Sequence, residues 1–359
     1  MAAAKPDTSI PVTVLTGFLG AGKTTLLKHL LTQPHGYKCA IIINEFGEVG
    51  IDGQLVVGAD EEVVELNNGC LCCRVRGDLV KTLADLLKRQ KRFDYVLVET
   101  TGLADPSPIA HTFYLPQLQE KLRLDAIVTV ADARHLEGVL DKAPEALPQI
   151  AFADVILLNK TDLATSAELD RVERRIRHIN PLAKIHRTQR SQVDMGKIFN
   201  TRARDLSTPI ELPPEKPAHG EAGHDCDDHC EREHEHAHAH AHGEHCDHED
   251  HGHDHAGRHD AAVRSFHILE ERPLDLKRTE AWLNELLAKG GENIYRAKGI
   301  LNIQGVPKRV IFQSVQMMFD VEPERFWNAN EKRGNQLVFI GKELDEAGIR
   351  AGFAACVAD

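Results

Sequence analysis

The hydrophobic and polar positions of the chain alternate between two regimes. Short continuous apolar runs, each followed by a stretch with helical spacing, fill the first two hundred residues. A run up to Val14 and Leu15 leads into the helical spacing of Leu26, Leu27, Leu30 and Leu31. Further buried strands are predicted at Cys39–Asn44, Glu61–Leu66, Phe93–Glu99, Asp125–Asp132 and Asp154–Leu158, with helices over Asp78–Lys88 and Ala167–Ile179. This strand and helix alternation predicts an α/β domain, a parallel sheet with helices on both faces and ligands at the carboxyl ends of its strands. From Val263 the pattern changes. Strands are predicted at 263–269, Ile294–Ile303, Arg309–Phe319 and Leu337–Ile340, and helices at Leu276–Ala288 and Asp345–Ala355, a smaller α+β domain. The expected divisions are 1–206, a linker at 207–261, and 262–359. In the last part His267 and Cys356 are read as packing residues.

Between the two globular patterns, His219 to His259 contains no Val, Ile, Leu, Met or aromatic residue but fourteen of the 21 histidines, with Cys226, Cys230 and Cys246. With no apolar surface to bury, it is expected to be disordered without metal and to bind Zn2+, Ni2+, Co2+ or Cu2+ through many equivalent arrangements; the alternative is a plain polar linker. The tract also changes the meaning of the net charge. Of the overall −12, its twelve Asp/Glu against two Arg account for −10, so the remainder is nearly balanced. No basic nucleic-acid footprint is present. No apolar run approaches the ~20 residues that span a bilayer, and the opening MAAAKPDTSIP has neither a basic nor an apolar leader region. A cytoplasmic protein is expected.

The chemistry concentrates at the strand ends. After the first apolar run, Gly17, Gly22, Lys23 and Thr24 satisfy G-x-x-x-x-G-K-[ST] in the strand, loop and helix context that motif requires. Its N–H groups can surround phosphate oxygens, Lys23 can neutralise the β and γ phosphates, and Thr24 can ligate Mg2+. Glu99-Thr100-Thr101-Gly102 ends another strand, where a carboxylate can hold Mg2+ through water and a glycine N–H can meet a γ-phosphate. Asn159-Lys160-Thr161-Asp162 ends a third. A carboxylate at Asp162 accepts from both guanine N1–H and the N2 amine, which adenine cannot supply, so GTP is expected rather than ATP. The carboxylate-rich EFGEVGIDG, with Glu45, Glu48 and Asp52, occupies the place of a switch loop. Cys70, Cys72 and Cys73 form C-x-C-C, three thiols able to converge on one soft or borderline ion. A C-x-x-C redox pair of Cys70 and Cys73, or buried thiols, are the alternatives.

Taken together, GFLGAGKTTLL, NEFGEVGIDG, NNGCLCC, ADPSPI and the C-terminal AKGILNIQG, VIFQSVQ and LVFIG resemble the CobW/YjiA-type metallochaperone GTPases, relatives of the nickel-insertion GTPases. The resemblance covers nearly all of the chain outside the His-rich insert. It implies a P-loop NTPase domain with a smaller C-terminal domain, slow GTP hydrolysis, and Zn2+ held at Cys70, Cys72 and Cys73 in a nucleotide-dependent way for delivery to a client metalloenzyme. By position, Gly17, Gly20, Ala21, Gly22, Lys23, Thr24 and Thr25 would bind the phosphates, Thr24 and Glu99 the Mg2+, Gly102 the γ-phosphate, and Asn159, Lys160 and Asp162 the guanine. Lys23, Thr24 and Glu99 would carry catalysis. Cobalt delivery for cobalamin synthesis, another metal such as Ni2+, or a zinc buffer with incidental GTPase activity are the competing readings. A homo-oligomer stays open.

Overall fold

The computed structural model describes residues 9–43, 62–65, 72–88, 93–203 and 263–359. The first domain runs β1 (Ile10–Thr16), α1 (Lys23–Thr32), β2 (Cys39–Ile43), β3 (Glu62–Glu65), α2 (Cys72–Lys88), β4 (Tyr95–Glu99), α3 (Ser107–Thr112) and α4 (Pro116–Gln119). It continues with β5 (Leu122–Asp132), α5 (Leu136–Lys142), α6 (Ala146–Ala151), β6 (Val155–Asn159), α7 (Ser166–Ile179) and β7 (Lys184–Arg187). Its seven strands form one parallel sheet in the order β3-β2-β4-β1-β5-β6-β7. β1, β2, β4 and β6 are buried almost throughout, which is why they read as unbroken apolar runs rather than alternating ones. After β1 the chain builds outward on one side and returns with β4; from β5 it builds on the other. The crevice of that reversal opens at the carboxyl end of β1, where the glycine loop begins.

The second domain comprises β8 (Val263–Glu270), α8 (Leu276–Gly290), β9 (Ile294–Leu301), β10 (Lys308–Val315), β11 (Met318–Phe326), β12 (Asn335–Lys342) and α9 (Glu346–Ala354). The strands form an antiparallel sheet, β11-β10-β9-β12-β8. Side chains on successive strand positions face opposite sides, and β12 uses both. Leu337 and Phe339 enter a core with Trp282, Leu283 and Phe353 of α8 and α9, while Val338 and Ile340 pack with Ile150, Ile176 and Ile179 of the first domain. The second sheet is thus clad by its own helices on one face and by the first domain on the other.

That junction also buries charge. Asp154, just before β6, is paired with Arg296 and, at 3.0 Å, with Lys298, both on β9, and its other oxygen accepts from Ile127 N–H at 2.9 Å. All three side chains are at least nine-tenths buried. Arg296 also donates to Phe152 O at 2.6 Å and Lys298 to Ala203 O at 2.6 Å.

Two sequence expectations change, and one strand was not expected. The helix expected at 78–88 begins at Cys72, so Cys72 and Cys73 lie in its first turn. The strand expected over 309–319 is a hairpin of β10 and β11 that reverses at Gln316, a non-glycine residue with φ 49°, so no Gly or Asn marked the turn. β7 is four residues long and half exposed, too short and too polar to stand out in the pattern. The domain divisions at 206/207 and 261/262, the His-rich tract, Cys70, and Glu45, Glu48 and Asp52 lie outside the described residues.

The buried triad gives two expectations. Asp154→Ala leaves two cations buried without their anion and should cost about 3–5 kcal/mol of unfolding free energy in urea titrations. Burial alone would raise the Asp154 carboxyl; Arg296, Lys298 and the Ile127 N–H outweigh it and hold it at about 2, against 3.8 ordinarily. A depressed folded-state value means the stabilisation is complete above about pH 4 and is lost as pH falls from there toward 2. Urea midpoints measured across that window should fall more steeply in the unaltered protein than in Asp154→Ala.

Candidate functional site

The loop between β1 and α1 is shaped by its glycines. Gly17 has φ 139°, and a Cβ there would lie 2.2 Å from Val130 O on β5. Gly22, at φ 116°, caps α1, and a Cβ there would sit 2.5 Å from Asn159 Nδ2 and 2.8 Å from Ser191 Oγ. Neither position admits a side chain. Lys23 opens α1 and folds back over the loop, donating from Nζ to Gly17 O at 2.7 Å and Phe18 O at 3.3 Å. Thr24 and Thr25 follow it in the first helical turn and are exposed, with Gly20 and Ala21 in the loop before them. A ten-residue helix whose first turn carries a lysine, opening directly from a glycine loop, suits an anion at its start.

Two other strand ends converge on this loop. Glu99 closes β4 in register with Leu15 of β1 and Ile43 of β2, and is almost buried. Thr100 then ties the strands together, its N–H donating to Leu15 O at 2.9 Å and its hydroxyl to Thr16 Oγ1 at 3.0 Å. The following turn is closed by Ala104 N–H to Thr101 O at 3.1 Å, and its Gly102 lies so near the loop that a Cβ would be 2.8 Å from Leu19 N.

Asn159, at the end of β6, joins the second motif to the first. Its Nδ2 donates to Ala21 O at 2.9 Å and to Ser191 Oγ at 3.0 Å, and its Oδ1 accepts from Ser191 N–H at 2.8 Å and Thr188 Oγ1 at 3.2 Å. Ser191 in turn donates to Gly22 O at 3.0 Å. Lys160 takes a left-handed φ of 61° and its Nζ donates to Asp132 at 2.7 Å. His135 Nδ1 lies 3.1 Å from the same carboxylate. Burial opposes ionisation of Asp132, yet its bonds to Lys160 and His135 prevail and keep its carboxyl below the ordinary range. Asp162 is exposed in the short 3-10 turn Thr161–Leu163.

The structure therefore brings Gly17, Gly20, Ala21, Gly22, Lys23, Thr24, Glu99, Gly102, Asn159 and Lys160 to one edge of the sheet. Of the C-x-C-C cysteines, only the backbones of Cys72 and Cys73 are described, and among the described residues no three His, Cys, Asp or Glu side chains form a metal-binding group. Thr188, Ser191 and Asp132 were not anticipated. The first two follow β7, whose own signal is faint, and Asp132 ends β5 outside any of the motifs. Beside the loop, a cavity of about 390 Å³ extends from Phe18–Ala21 along β5 to α5, α6 and Lys160.

Comparison with known proteins agrees with this geometry. The chain is 35% identical over 350 residues to the zinc chaperone YjiA of Escherichia coli, covering 96% of this chain and 98% of that one. It is 34% identical to the zinc chaperone CobW of Pseudomonas aeruginosa, over 95% of this chain and 89% of the relative. The crystal structure of Zn(II)-bound YjiA GTPase from E. coli superposes with a TM-score of 0.72 at 31% identity, covering 98% and 99% of the two chains. Residues 11–187 match the CobW/HypB/UreG nucleotide-binding domain, residues 263–357 match the cobalamin synthesis protein CobW C-terminal domain, and the chain belongs to the CobW/HypB/UreG family.

Proposed function

We propose that the chain is a GTP-hydrolysing metallochaperone that takes Zn2+ at Cys70, Cys72 and Cys73 and passes it to a client metalloenzyme as its nucleotide changes. The observation that carries the nucleotide half is the Asn159 carboxamide, which holds the NKTD segment against the phosphate loop through Ala21 O. In this reading a nucleotide whose phosphates occupy that loop presents its base to Asp162. The relatives support the cargo, since YjiA and CobW are zinc chaperones and the superposed YjiA crystal structure is Zn(II)-bound. Free thiolate ligation needs a reducing compartment, so we assign the protein to the cytoplasm.

The chain's own residues divide the work. Loop N–H groups and the start of α1 receive the phosphates, Lys23 supplies the compensating charge, and Gly102 offers its N–H to the γ-phosphate. Thr24 and Glu99 are oxygen donors flanking the loop, a set suited to Mg2+, which when bound would neutralise charge on the phosphate oxygens. Asp162 reads the guanine edge. The parallel register runs from this site toward the cysteine segment. β3 ends at Glu65, level with Ile43 and hence with Glu99, and α2 opens at Cys72 on the far side of segment 66–71. Cys72 and Cys73 thus sit at the start of a 17-residue helix. In this reading bound GTP completes the thiolate site and hydrolysis loosens it.

Two measurements test the halves separately. Asp162→Ala removes two hydrogen bonds to a charged acceptor and should weaken GDP binding about a hundredfold in calorimetric titration; unchanged affinity would mean the base is read elsewhere. For the cargo, Zn2+ affinity by chelator competition on protein lacking residues 219–259 should be about tenfold or more tighter with Mg2+ and a non-hydrolysable GTP analogue than with GDP. Cys72→Ser should lose that tight site while keeping GTP. Equal Zn2+ affinities in the two nucleotide states would favour a zinc buffer over a chaperone.

A further inference from the structure

Gln149 on α6 is 1% exposed, belongs to none of the sequence motifs, and its amide has to find partners inside the protein. Both are in the turn after Glu99. Nε2 donates to Gly102 O and to Ala104 O, each at 3.1 Å. The Gln149 backbone is fixed from the other side, its carbonyl accepting from Thr129 Oγ1 of β5 at 2.7 Å.

Gln149 thereby holds the peptide planes that follow Gly102 and Ala104. In a trans peptide the carbonyl and the following N–H point in opposite directions. The plane carrying the Gly102 N–H is held through Thr101 O, which accepts from Ala104 N–H. The next plane is held through Gly102 O, by Gln149. With Gly102 against Leu19 of the phosphate loop, little freedom remains for the turn while Gln149 is in place.

The same helix carries the second domain. Phe152, which caps α6, accepts from Arg296 through its carbonyl, and its ring lies 5.4 Å from that of Tyr295 at the start of β9. Downstream of the turn, His111 of α3 shares a hydrogen bond of 3.2 Å with Val315 O of β10. The Gly102 turn is therefore tied to the C-terminal sheet on both sides.

We propose that Gln149 is a positioning residue for GTP hydrolysis: it orients the 101–104 turn, and so the Gly102 N–H, for the γ-phosphate from the helix that supports the C-terminal domain. The inference rests on the assignment of Gly102 to the γ-phosphate. Gln149 touches neither nucleotide nor water in this role; it acts through the turn. Its loss affects the triphosphate state and leaves the diphosphate state, which has no γ-phosphate to meet.

The test uses the full chain with Mg2+, titrating GDP and a non-hydrolysable GTP analogue and measuring steady-state kcat, for Gln149→Leu, Gln149→Glu and Gly102→Ala. In both Gln149 variants, GDP affinity should stay within about twofold of the unaltered protein, while analogue affinity and kcat fall about tenfold for the two lost hydrogen bonds. Gln149→Glu keeps the length and polarity of the side chain and decides the matter by the same readouts if Gln149→Leu lacks a cooperative melt. A folded Gln149 variant with an unchanged analogue-to-GDP ratio and unchanged kcat overturns the proposal. If Gly102→Ala leaves the ratio intact, the γ-phosphate assignment itself fails; if it lowers the ratio while the Gln149 variants do not, only the role of Gln149 is overturned.

Discussion

The nucleotide edge of the molecule depends on one buried carboxamide. Asn159 reaches Ala21 of the phosphate loop, 138 residues earlier in the chain, and Thr188 and Ser191 of the loop after β7. A primary amide is suited to this junction because it offers two donors and an acceptor from one planar group, where a carboxylate would only accept. Around it Gly17 and Gly22 leave no room for a Cβ, so the backbone of Val130 lies directly against the loop and the Asn159 and Ser191 side chains reach the loop's own backbone. The spacing between the glycine loop and the end of β6 is consequently fixed by hydrogen bonds within the protein. Such preorganisation lowers the ordering cost of binding.

A second constraint joins the two domains. The Asp154, Arg296 and Lys298 cluster is buried at the same junction where Val338 and Ile340 complete the first domain's core. A buried triad is weak as a source of net stability but demanding in geometry, since a displaced partner leaves a charge stranded. It therefore fixes how the C-terminal sheet sits on α6 and β6. Because α6 also holds Gln149 against the Gly102 turn, and α3 follows that turn to β10, the turn and the second domain share supports.

Local requirements were legible in the sequence alone. Gly17 and Gly22 declare themselves because their positions demand an absent Cβ, Lys23 and Thr24 because they must follow within one helical turn, and β1, β2, β4 and β6 because strands buried on both faces are continuous apolar runs. Asn159 and Asp162 were legible as members of the N-K-x-D pattern that closes the apolar run of β6. The family resemblance rested on these same segments, which is why it carried the fold correctly. Contacts across the fold leave no such trace. Ser191 to Asn159, Gln149 to Gly102 and Arg296 to Asp154 bridge 32, 47 and 142 residues, with no periodicity linking the partners. The start of α2 at Cys72 and the hairpin at Gln316 also escaped, since neither a cap nor a turn residue announced them. The sequence thus determined which chemical groups the protein has and the order of its strands' motifs. Only the tertiary structure decided which polar groups are buried together, because that depends on which strands become neighbours and on the desolvation their packing imposes.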